Sequence, residues 1–176
     1  MIYIKELNEQ DKEKEYQVLY HLPEEEMGFT NPYHHLTREA FESEVFPRLI
    51  RYSKGIGMPE GWVPETYYFL WDDEEIVGLF RLRHFLNEGL KKRGGHIGYG
   101  ILKPYRRKGY GTAGLKLVLE KAWNMIPEEE IWLSCQKNNP ASLKIMMNNG
   151  AVIHHEDETE YYTRIRKGNL RLQTEE

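Results

Sequence analysis

The chain has 176 residues, 24 Lys and Arg against 28 Asp and Glu, and a formal net charge of −4. A length in this range predicts one domain, and the 40% hydrophobic and 12% aromatic fractions exclude a disordered chain. The acidic balance disfavours nucleic-acid binding, the single cysteine excludes an internal disulfide, and neither a membrane span nor a signal peptide is visible. We therefore expect a cytoplasmic protein with no nucleic-acid and no membrane partner.

The first third of the chain alternates apolar runs, charged helical patterns and helix breakers. Helical spacing of apolar residues, together with capping residues, Pro and Gly, sets the predicted boundaries. Three consecutive acids are typical of a solvated turn. In chain order, the predicted elements are a strand at 2–4, a helix at 10–21, an acidic turn at 24–26, a helix from 37 to 50 or 52 that Pro47 breaks or bends, and a loop at 53–64.

After residue 64 the pattern changes to strands. Two aromatic and β-branched runs at 66–71 and 76–83 flank a polar turn, which predicts an antiparallel hairpin. We expect one α/β domain over residues 1–168. The remaining predicted elements are a Gly- and Lys-rich loop at 87–95, a strand at 96–102, a helix at 115–126, a strand at 131–136 reached by a crossover, a helix that Asn139 caps and Gly150 ends, a strand pair at 151–153 and 161–165, and a loose tail at 169–176.

One segment combines cations and glycines between a predicted strand and a predicted helix. Arg106, Arg107 and Lys108 precede Gly109 and Gly111. Glycine lets the backbone approach a ligand closely, and a helix N-terminus presents unpaired N–H groups and the positive end of the helix dipole. The segment therefore predicts a cradle for a diphosphate. An exposed basic loop that only turns the chain is the alternative, because short glycine motifs often match by chance.

Residues 109–114 also satisfy G-x-G-x-x-G, the fingerprint of dinucleotide-binding folds. In those folds the first glycine ends a strand, and an acid follows at the end of the next strand. Here residues 103–108 separate the strand from Gly109, and the acids at 128–130 precede the next strand. We interpret the fingerprint as accidental, and a nicotinamide-dependent oxidoreductase is the weakest of three functional hypotheses.

The spacing Arg106-x-x-Gly109-x-Gly111 resembles R/Q-x-x-G-x-G/A, the pyrophosphate motif of the GNAT N-acetyltransferases. The resemblance continues through residues 134–142, which look like that superfamily's strand and N-x-A-S helix start, and through its helix exit at 147–151. It covers the chain well from residue 66 onward, whereas the N-terminal third matches only loosely.

This resemblance implies an α/β fold of the GNAT type, with a mixed, mostly antiparallel central sheet flanked by helices. Two neighbouring parallel strands, at 96–102 and 131–136, would splay apart within that sheet. Residues 83–87 and 94–99 are similar to a bacterial subgroup known only as predicted acetyltransferases, which implies no substrate.

The resemblance also implies acetyl-CoA as the co-substrate. Main-chain groups of the first splayed strand would pair with the pantetheine arm, and one N–H there would polarise the thioester carbonyl. Main-chain N–H groups of the glycine segment would hold the pyrophosphate. The residues implied to bind acetyl-CoA are Tyr99, Gly100, Ile101, Arg106, Arg107, Lys108, Gly109, Tyr110, Gly111, Thr112 and Asn139.

An amine that attacks a thioester must lose a proton, so a His or a carboxylate is expected as general base. The candidates are His96, which opens the splayed strand, and Glu88; a purely structural role for His96 stays open. Many family members carry an acid Tyr four residues after the Ser that Ser142 matches, but this chain has Met146 there. Tyr99, water or no group at all would then protonate the thiolate.

These residues predict an acyltransferase that moves acetyl from acetyl-CoA to an amine of an unknown acceptor by direct attack in a ternary complex. A non-catalytic sensor domain that binds CoA or a nucleotide is the alternative. The expected partner is a small-molecule or peptide amine, and a homodimer is left open. No metal is expected, because the adjacent histidines at 34–35 and 154–155 would point in opposite directions from a strand.

Overall fold

The computed structural model describes residues 1–168, so the predicted tail at 169–176 lies outside the described residues. The strands of this part are short at the N-terminus and longer in the middle. They are β1 Ile2–Glu6, β2 Glu25–Glu26, β3 Phe29–Thr30, β4 Glu65–Asp72, β5 Glu75–Arg83, β6 Ile97–Ile101, β7 Glu130–Gln136, β8 Val152–Glu156 and β9 Glu160–Arg166.

The helices connect these strands and cover the sheets. In residues 1–168, none of them has both the length and the apolar composition that a membrane span requires. A π-helical stretch at Phe41–Val45 joins α2 to α3 without a break, and a 3₁₀ turn lies at Lys103–Tyr105. The helices are α1 Lys12–His21, α2 Arg38–Ala40, α3 Phe46–Ser53, α4 Glu88–Lys92, α5 Tyr110–Met125 and α6 Pro140–Asn148.

The longer strands form two sheets, and β2 and β3 form a separate short hairpin. The first sheet has the strand order β1-β4-β5-β6, and every neighbouring pair is antiparallel. The second sheet has the order β7-β9-β8 and is also antiparallel. This α/β architecture of antiparallel sheets flanked by helices confirms the predicted fold class.

Both faces of the first sheet are covered, which explains the unbroken apolar run in β4. Successive residues of a strand point to opposite faces. Tyr68 and Leu70 pack in one apolar cluster with Leu115 of α5, whereas Phe69 packs in the other cluster with Leu19 of α1. A strand that is buried on both faces has a continuous hydrophobic sequence instead of an alternating one.

The two sheets meet where β6 begins. His96, just before β6, donates its N–H to Trp132 O of β7 (2.7 Å), and Trp132 donates its N–H to His96 Nδ1 (2.9 Å). No strand ladder joins β6 to β7 among residues 1–168. The strands therefore touch near this point and then separate, as the sequence resemblance implied.

The three consecutive acids do not form a turn, which corrects the sequence prediction. Glu25 and Glu26 form β2, and the chain reverses instead at Met27 and Gly28, whose φ angles are 50° and 87°. The Glu25 carboxylate accepts a hydrogen bond from Gly28 N–H (2.6 Å), and Glu26 forms an ion pair with Arg106. The Gly28 N–H and the distant Arg106 guanidinium thus bind carboxylates that would otherwise favour a solvated segment.

Two helical segments also differ from the prediction. The expected loop at 87–95 contains α4, because Asn87 Oδ1 accepts the Leu90 N–H (2.8 Å) and caps a short helix that the nearby glycines concealed. The helix that Thr37 caps is present, and Pro47 does not break it. The wider π-helical turn before Pro47 accommodates a residue that has no N–H to donate.

Replacing Gly114 of α5 with Ala should destabilise the fold. A Cβ at Gly114 would lie 2.5 Å from Phe80 and 2.9 Å from Leu70 in the core. Overpacking of this kind costs about 1–3 kcal/mol, and the gain in helix propensity offsets only about 0.5–1 kcal/mol of it. We expect a net loss in the free energy of unfolding, measured by denaturant titration. Gly168→Ala is the matched control, since no atom of residues 1–168 lies within 4 Å of its added Cβ; equal stabilities of the two variants would contradict this packing.

Candidate functional site

A cleft opens between β6 and β7, where the two sheets separate. Its walls are the β2–β3 hairpin, the outer edge of β6, the start of α5, the end of β7 and the start of α6. The cleft has a volume of about 1260 Å³, whereas small-ligand pockets measure about 300–1000 Å³. It can therefore hold an extended ligand together with a second molecule.

Unpaired main-chain groups of β6 point into this cleft. In an antiparallel ladder, alternate residues direct both their N–H and C=O to the same neighbouring strand. Leu102 donates its N–H to Val77 O on the β5 side (2.9 Å), so Gly100, two residues earlier, also faces β5. Tyr99 and Ile101 face the cleft. The prediction that Gly100 main-chain groups bind the pantetheine arm is corrected, because β5 already uses them.

The edge of β7 faces the cleft in the same way. The N–H and C=O of Trp132 both bond to His96, on the side away from β9. Main-chain groups alternate in direction along a strand, so the N–H and C=O of Ser134 and Gln136 also point away from β9. Asn139 N–H already donates to Gln136 O (2.9 Å). On the β6 edge, Ile101 O already accepts from Arg106 Nε (2.9 Å). The other groups on both edges have the spacing of a ladder that lacks its middle strand, and an extended chain with amide groups would complete it.

The glycine segment, the predicted cradle, lies at one end of the cleft. Arg107 and Gly109 have positive φ angles of 60° and 85°. Ala113 donates its N–H to Gly109 O (3.1 Å), but within residues 1–168 the N–H groups of α5 that precede Ala113 have no acceptor. Free N–H groups at a helix start, next to a backbone in which positive and negative φ angles alternate, form a site for an anion such as a phosphate group.

Several basic and aromatic side chains of this segment point elsewhere. Arg106 Nε donates to Ile101 O (2.9 Å), and its guanidinium pairs with Glu26 of β2. Tyr110 OH donates to Asp72 Oδ2 (2.6 Å) at the end of β4. Arg106 therefore fixes the β2–β3 hairpin to the cradle. Because the side chains of Arg106 and Tyr110 bond to the protein, these two residues can bind the predicted pyrophosphate only through their main-chain groups.

The remaining predicted cofactor residues lie at or beside the cradle. Arg107 and Thr112 line the cleft, and Lys108 lies 5.9 Å from the centre of the Tyr105 ring. Asn139 lines the cleft and caps α6, because its Oδ1 accepts the Ser142 N–H (3.2 Å).

The side chain of Tyr99 lies below the cleft, on the core side of β6. Its ring stacks on Phe80 with 5.3 Å between centroids, and its OH lies 2.8 Å from Ser142 Oγ and 3.1 Å from Ser142 O. Burial raises the pKa of Tyr99, so the phenol is protonated. Met146, at the position of the family's acid Tyr, is buried and accepts a hydrogen bond from Thr163 Oγ1 at Sδ (3.4 Å).

The two predicted general bases do not line the cleft. The His96 ring is fully buried, its Nδ1 accepts the Trp132 N–H, and its Nε2 lies 3.1 Å from Glu128 Oε2. Burial lowers the pKa of His96, which keeps the ring neutral. Glu88 is exposed at the start of α4 and pairs with Lys91 (3.2 Å). The structure thus brings neither of them to the other predicted site residues.

Sequence reasoning missed the wall of the cleft that the last strand contributes. Glu160 of β9 lies opposite Gln136 of β7 in the ladder, and both line the cleft with Ser134. Arg83 and Arg93 complete this wall. The sequence signal was weak, because Glu160 immediately precedes an apolar run and resembles a turn residue. Among residues 1–168, no group of three or more His, Cys, Asp or Glu side chains is placed to hold a metal.

The fold agrees with a comparison to protein-family models. The model described as "Acetyltransferase (GNAT) domain" matches residues 2–152. The chain belongs to the GNAT acetyltransferase family. No curated protein matches the sequence.

Solved GNAT structures share this fold at low sequence identity. The ribosomal-protein-S5-alanine acetyltransferase from Vibrio fischeri has a TM-score of 0.66 at 16% identity, covering 96% of this chain and 94% of that chain. The spermidine N-acetyltransferase from Vibrio cholerae, in complex with CoA and spermine, has a TM-score of 0.57 at 14% identity, with coverages of 94% and 95%. The Campylobacter jejuni N-acetyltransferase PseH, in complex with acetyl coenzyme A, has a TM-score of 0.50 at 17% identity, with coverages of 94% and 99%.

In this GNAT protein, removing the His96 ring should cost stability. His96→Ala leaves the Trp132 N–H without its acceptor, and a buried unsatisfied donor costs about 1–3 kcal/mol. Because the folded pKa of His96 is lowered, its contribution is complete above the unfolded pKa of about 6.5 and is lost as the pH falls through the folded value. Denaturant titrations on both sides of about pH 6.5 should show the difference between variant and wild type shrinking at low pH.

The control for this measurement is His154→Ala, since His154 is exposed on β8. Wild-type stability in His96→Ala, combined with abolished turnover, would contradict the structural role and identify His96 as the base.

Proposed function

We propose that the protein transfers acetyl from acetyl-CoA to an amine by direct attack within a ternary complex. The observation that carries this proposal is the cleft itself, with two main-chain edges that lack a middle strand and an anion cradle at one end. The pantetheine arm of acetyl-CoA is an extended chain with two amides, and it ends in a pyrophosphate. The pantetheine arm therefore matches the two strand edges, and the pyrophosphate matches the cradle.

In this proposal, each half of the cleft has its own task. The N–H groups at the start of α5 hold the pyrophosphate, and the facing edges at Tyr99 and Ser134 hold the arm. A main-chain N–H of β6 then stabilises negative charge on the thioester oxygen as the amine attacks. Holding both substrates in one cleft supplies the positioning on which such a reaction mainly depends.

The acceptor is proposed as a small-molecule or peptide amine. The space left for it lies between the β2–β3 hairpin and the wall formed by Gln136 and Glu160. Two proteins of similar fold are named for amines of very different size, a ribosomal-protein alanine and spermidine. Both classes of amine therefore belong in a substrate panel.

A CoA-binding sensor without activity is the second candidate. One observation favours it, namely that Met146 is buried in the core and cannot protonate a leaving thiolate. Turnover separates a sensor from an enzyme, whereas binding alone does not.

Acetyl-CoA should stabilise the protein strongly, and NAD much less, because NAD has no pantetheine arm. A ligand that binds only the folded state adds about 2.7 kcal/mol at a hundredfold excess over its Kd. Thermal unfolding with each ligand checks binding, and release of free thiol from acetyl-CoA with spermine, a peptide that begins with alanine, and n-butylamine checks transfer. Equal shifts with NAD would contradict the proposal, and binding without thiol release for any amine would favour the sensor.

Valine at Gly109 should raise the KM for acetyl-CoA at least tenfold. Its φ of 85° is strained for a β-branched residue, so the cradle would lose its shape. Arg106→Ala should have a smaller effect, because the guanidinium bonds to the protein and main-chain groups bind the phosphates. Gly61→Val is the matched control: Gly61 has a φ of 82° and equal free space but lies outside the cleft. A larger effect of Arg106→Ala than of Gly109→Val would show that side-chain charge holds the ligand.

A further inference from the structure

A buried carboxylate faces the cleft from the first residue of β9. The Glu160 side chain is 8% exposed, and its Oε1 lies 3.2 Å from Arg93 Nε. Its other oxygen, Oε2, is buried and has no hydrogen-bond partner among residues 1–168. Burying a carboxylate oxygen without a hydrogen-bond donor costs free energy. A donor from a bound molecule would supply the hydrogen bond that Oε2 lacks.

The position of this oxygen is unusual within the molecule. The described part of the chain has three buried side-chain atoms without a partner, His34 Nδ1, Trp71 Nε1 and Glu160 Oε2. Of these three residues, only Glu160 lines the cleft between the sheets. An unpaired acceptor at this place points to a ligand that carries a donor, and a protonated amine is such a ligand.

The ladder register places the Glu160 side chain on the face of the second sheet where the amine that accepts the acetyl group is proposed to bind. Glu160 and Gln136 lie directly opposite each other in β9 and β7, so their side chains share one face of the second sheet. The neighbouring residue Cys135 points to the other face, into the core that α5 covers. Gln136 also lies beside Gly28 in the turn of the β2–β3 hairpin. The carboxylate is thus across the sheet from α5, on the side that the hairpin encloses.

The other charged and titratable groups around Glu160 already have partners or are uncharged. Asp157 accepts the N–H of Glu160 (2.8 Å) and the hydroxyl of Tyr162 (2.8 Å). Burial raises the pKa of the Cys135 thiol to about 11, so it is protonated at neutral pH. Arg93 is the one cation paired with Glu160 in residues 1–168, and its side chain is 65% exposed, so it can move without opening the core.

We propose that Glu160 is the general base of the acetyl transfer, with Oε2 as the atom that binds the acceptor ammonium and removes its proton. This rests on the proposed acetyltransferase activity. Glu160 accepts one proton from the ammonium, and the freed lone pair of the nitrogen forms the C–N bond with the thioester carbon. The C–S bond breaks, the thiolate takes a second proton from the same nitrogen, and the proton on Glu160 passes to solvent. One ammonium and one thioester thus give one amide, one thiol and one released proton.

The test compares Glu160→Gln with the wild type, using acetyl-CoA and n-butylamine, a probe that offers only an ammonium group. A general base contributes about 10²–10⁴-fold to the rate, so kcat should fall by that factor near neutral pH while the KM for acetyl-CoA stays the same. The deficit should shrink as the pH rises toward the pKa of the amine, because free amine then needs no base. A merely structural role would not produce this pH dependence.

Glu158→Gln is the matched control, since Glu158 is an exposed acid in the same turn. It should keep the wild-type kcat and pH profile. The thermal shift with acetyl-CoA should be unchanged in both variants, which shows that the donor half of the cleft is intact.

Each outcome bears on one proposal. If Glu160→Gln binds acetyl-CoA and keeps the wild-type kcat and pH profile, Glu160 is not the base, although the acetyl transfer stands. If the wild type binds no acetyl-CoA, or releases no thiol with any amine, the proposed function is wrong, and the proposal that Glu160 is the general base is wrong with it. Should Glu160→Gln not fold, Glu160→Asp replaces it. Its retracted carboxylate should lower kcat at least tenfold, and an unchanged kcat would overturn the proposal.

Discussion

The contact between His96 and Trp132 determines how the two sheets are related. Both main-chain groups of Trp132 bond to His96, one of them to the imidazole ring in place of a backbone acceptor. A side chain cannot propagate a ladder, so the pairing of β6 with β7 ends there. Gly95 permits this approach, because a Cβ at that position would overlap Trp132 O. Glu128 holds the other nitrogen of the ring, and the neutral imidazole thus fixes the point from which the strands diverge.

The cleft and its binding groups follow from that divergence. Strands that separate leave main-chain donors and acceptors without partners along both edges, and such groups are costly to bury unless something pairs with them. Tyr99 and the N–H of Ile101 present these groups on one side and Ser134 on the other, whereas Ile101 O already accepts from Arg106. The start of α5 adds further unpaired N–H groups at the end of the cleft. In the proposed function, specificity for an extended, amide-containing anion comes mainly from the backbone, so it depends on strand geometry and on few side chains.

The sequence predicted those parts of the molecule that local chemistry controls. The β4–β5 hairpin, the Asn139 cap and the glycine turn that leads into α5 each depend on residues within a few positions of one another. Contacts between distant segments were not predictable in this way. Glu26 and Arg106 are 80 positions apart, and Glu128 reaches His96 across 32 positions. Glu160 comes to the cleft only because β9 lies next to β7 in the second sheet, and this strand order has no local signature.

Proton transfer in the proposed reaction is constrained by the side chains that already have hydrogen-bond partners in the core. Met146 packs in the core and accepts from Thr163, and the Tyr99 hydroxyl is committed to Ser142. These contacts stabilise α6 against β6 and β9, so the helix that carries an acid in many relatives here contributes packing. The wall across the cleft is different, because Glu160 opens β9 where the ladder with Gln136 ends and its carboxylate has one oxygen to spare. A group that is buried yet incompletely bonded is stabilised most by the ligand that completes its bonding, and for a carboxylate that ligand is a cation with N–H donors. In the proposed mechanism, the folding of the last strand and the recognition of an amine are two consequences of the same register.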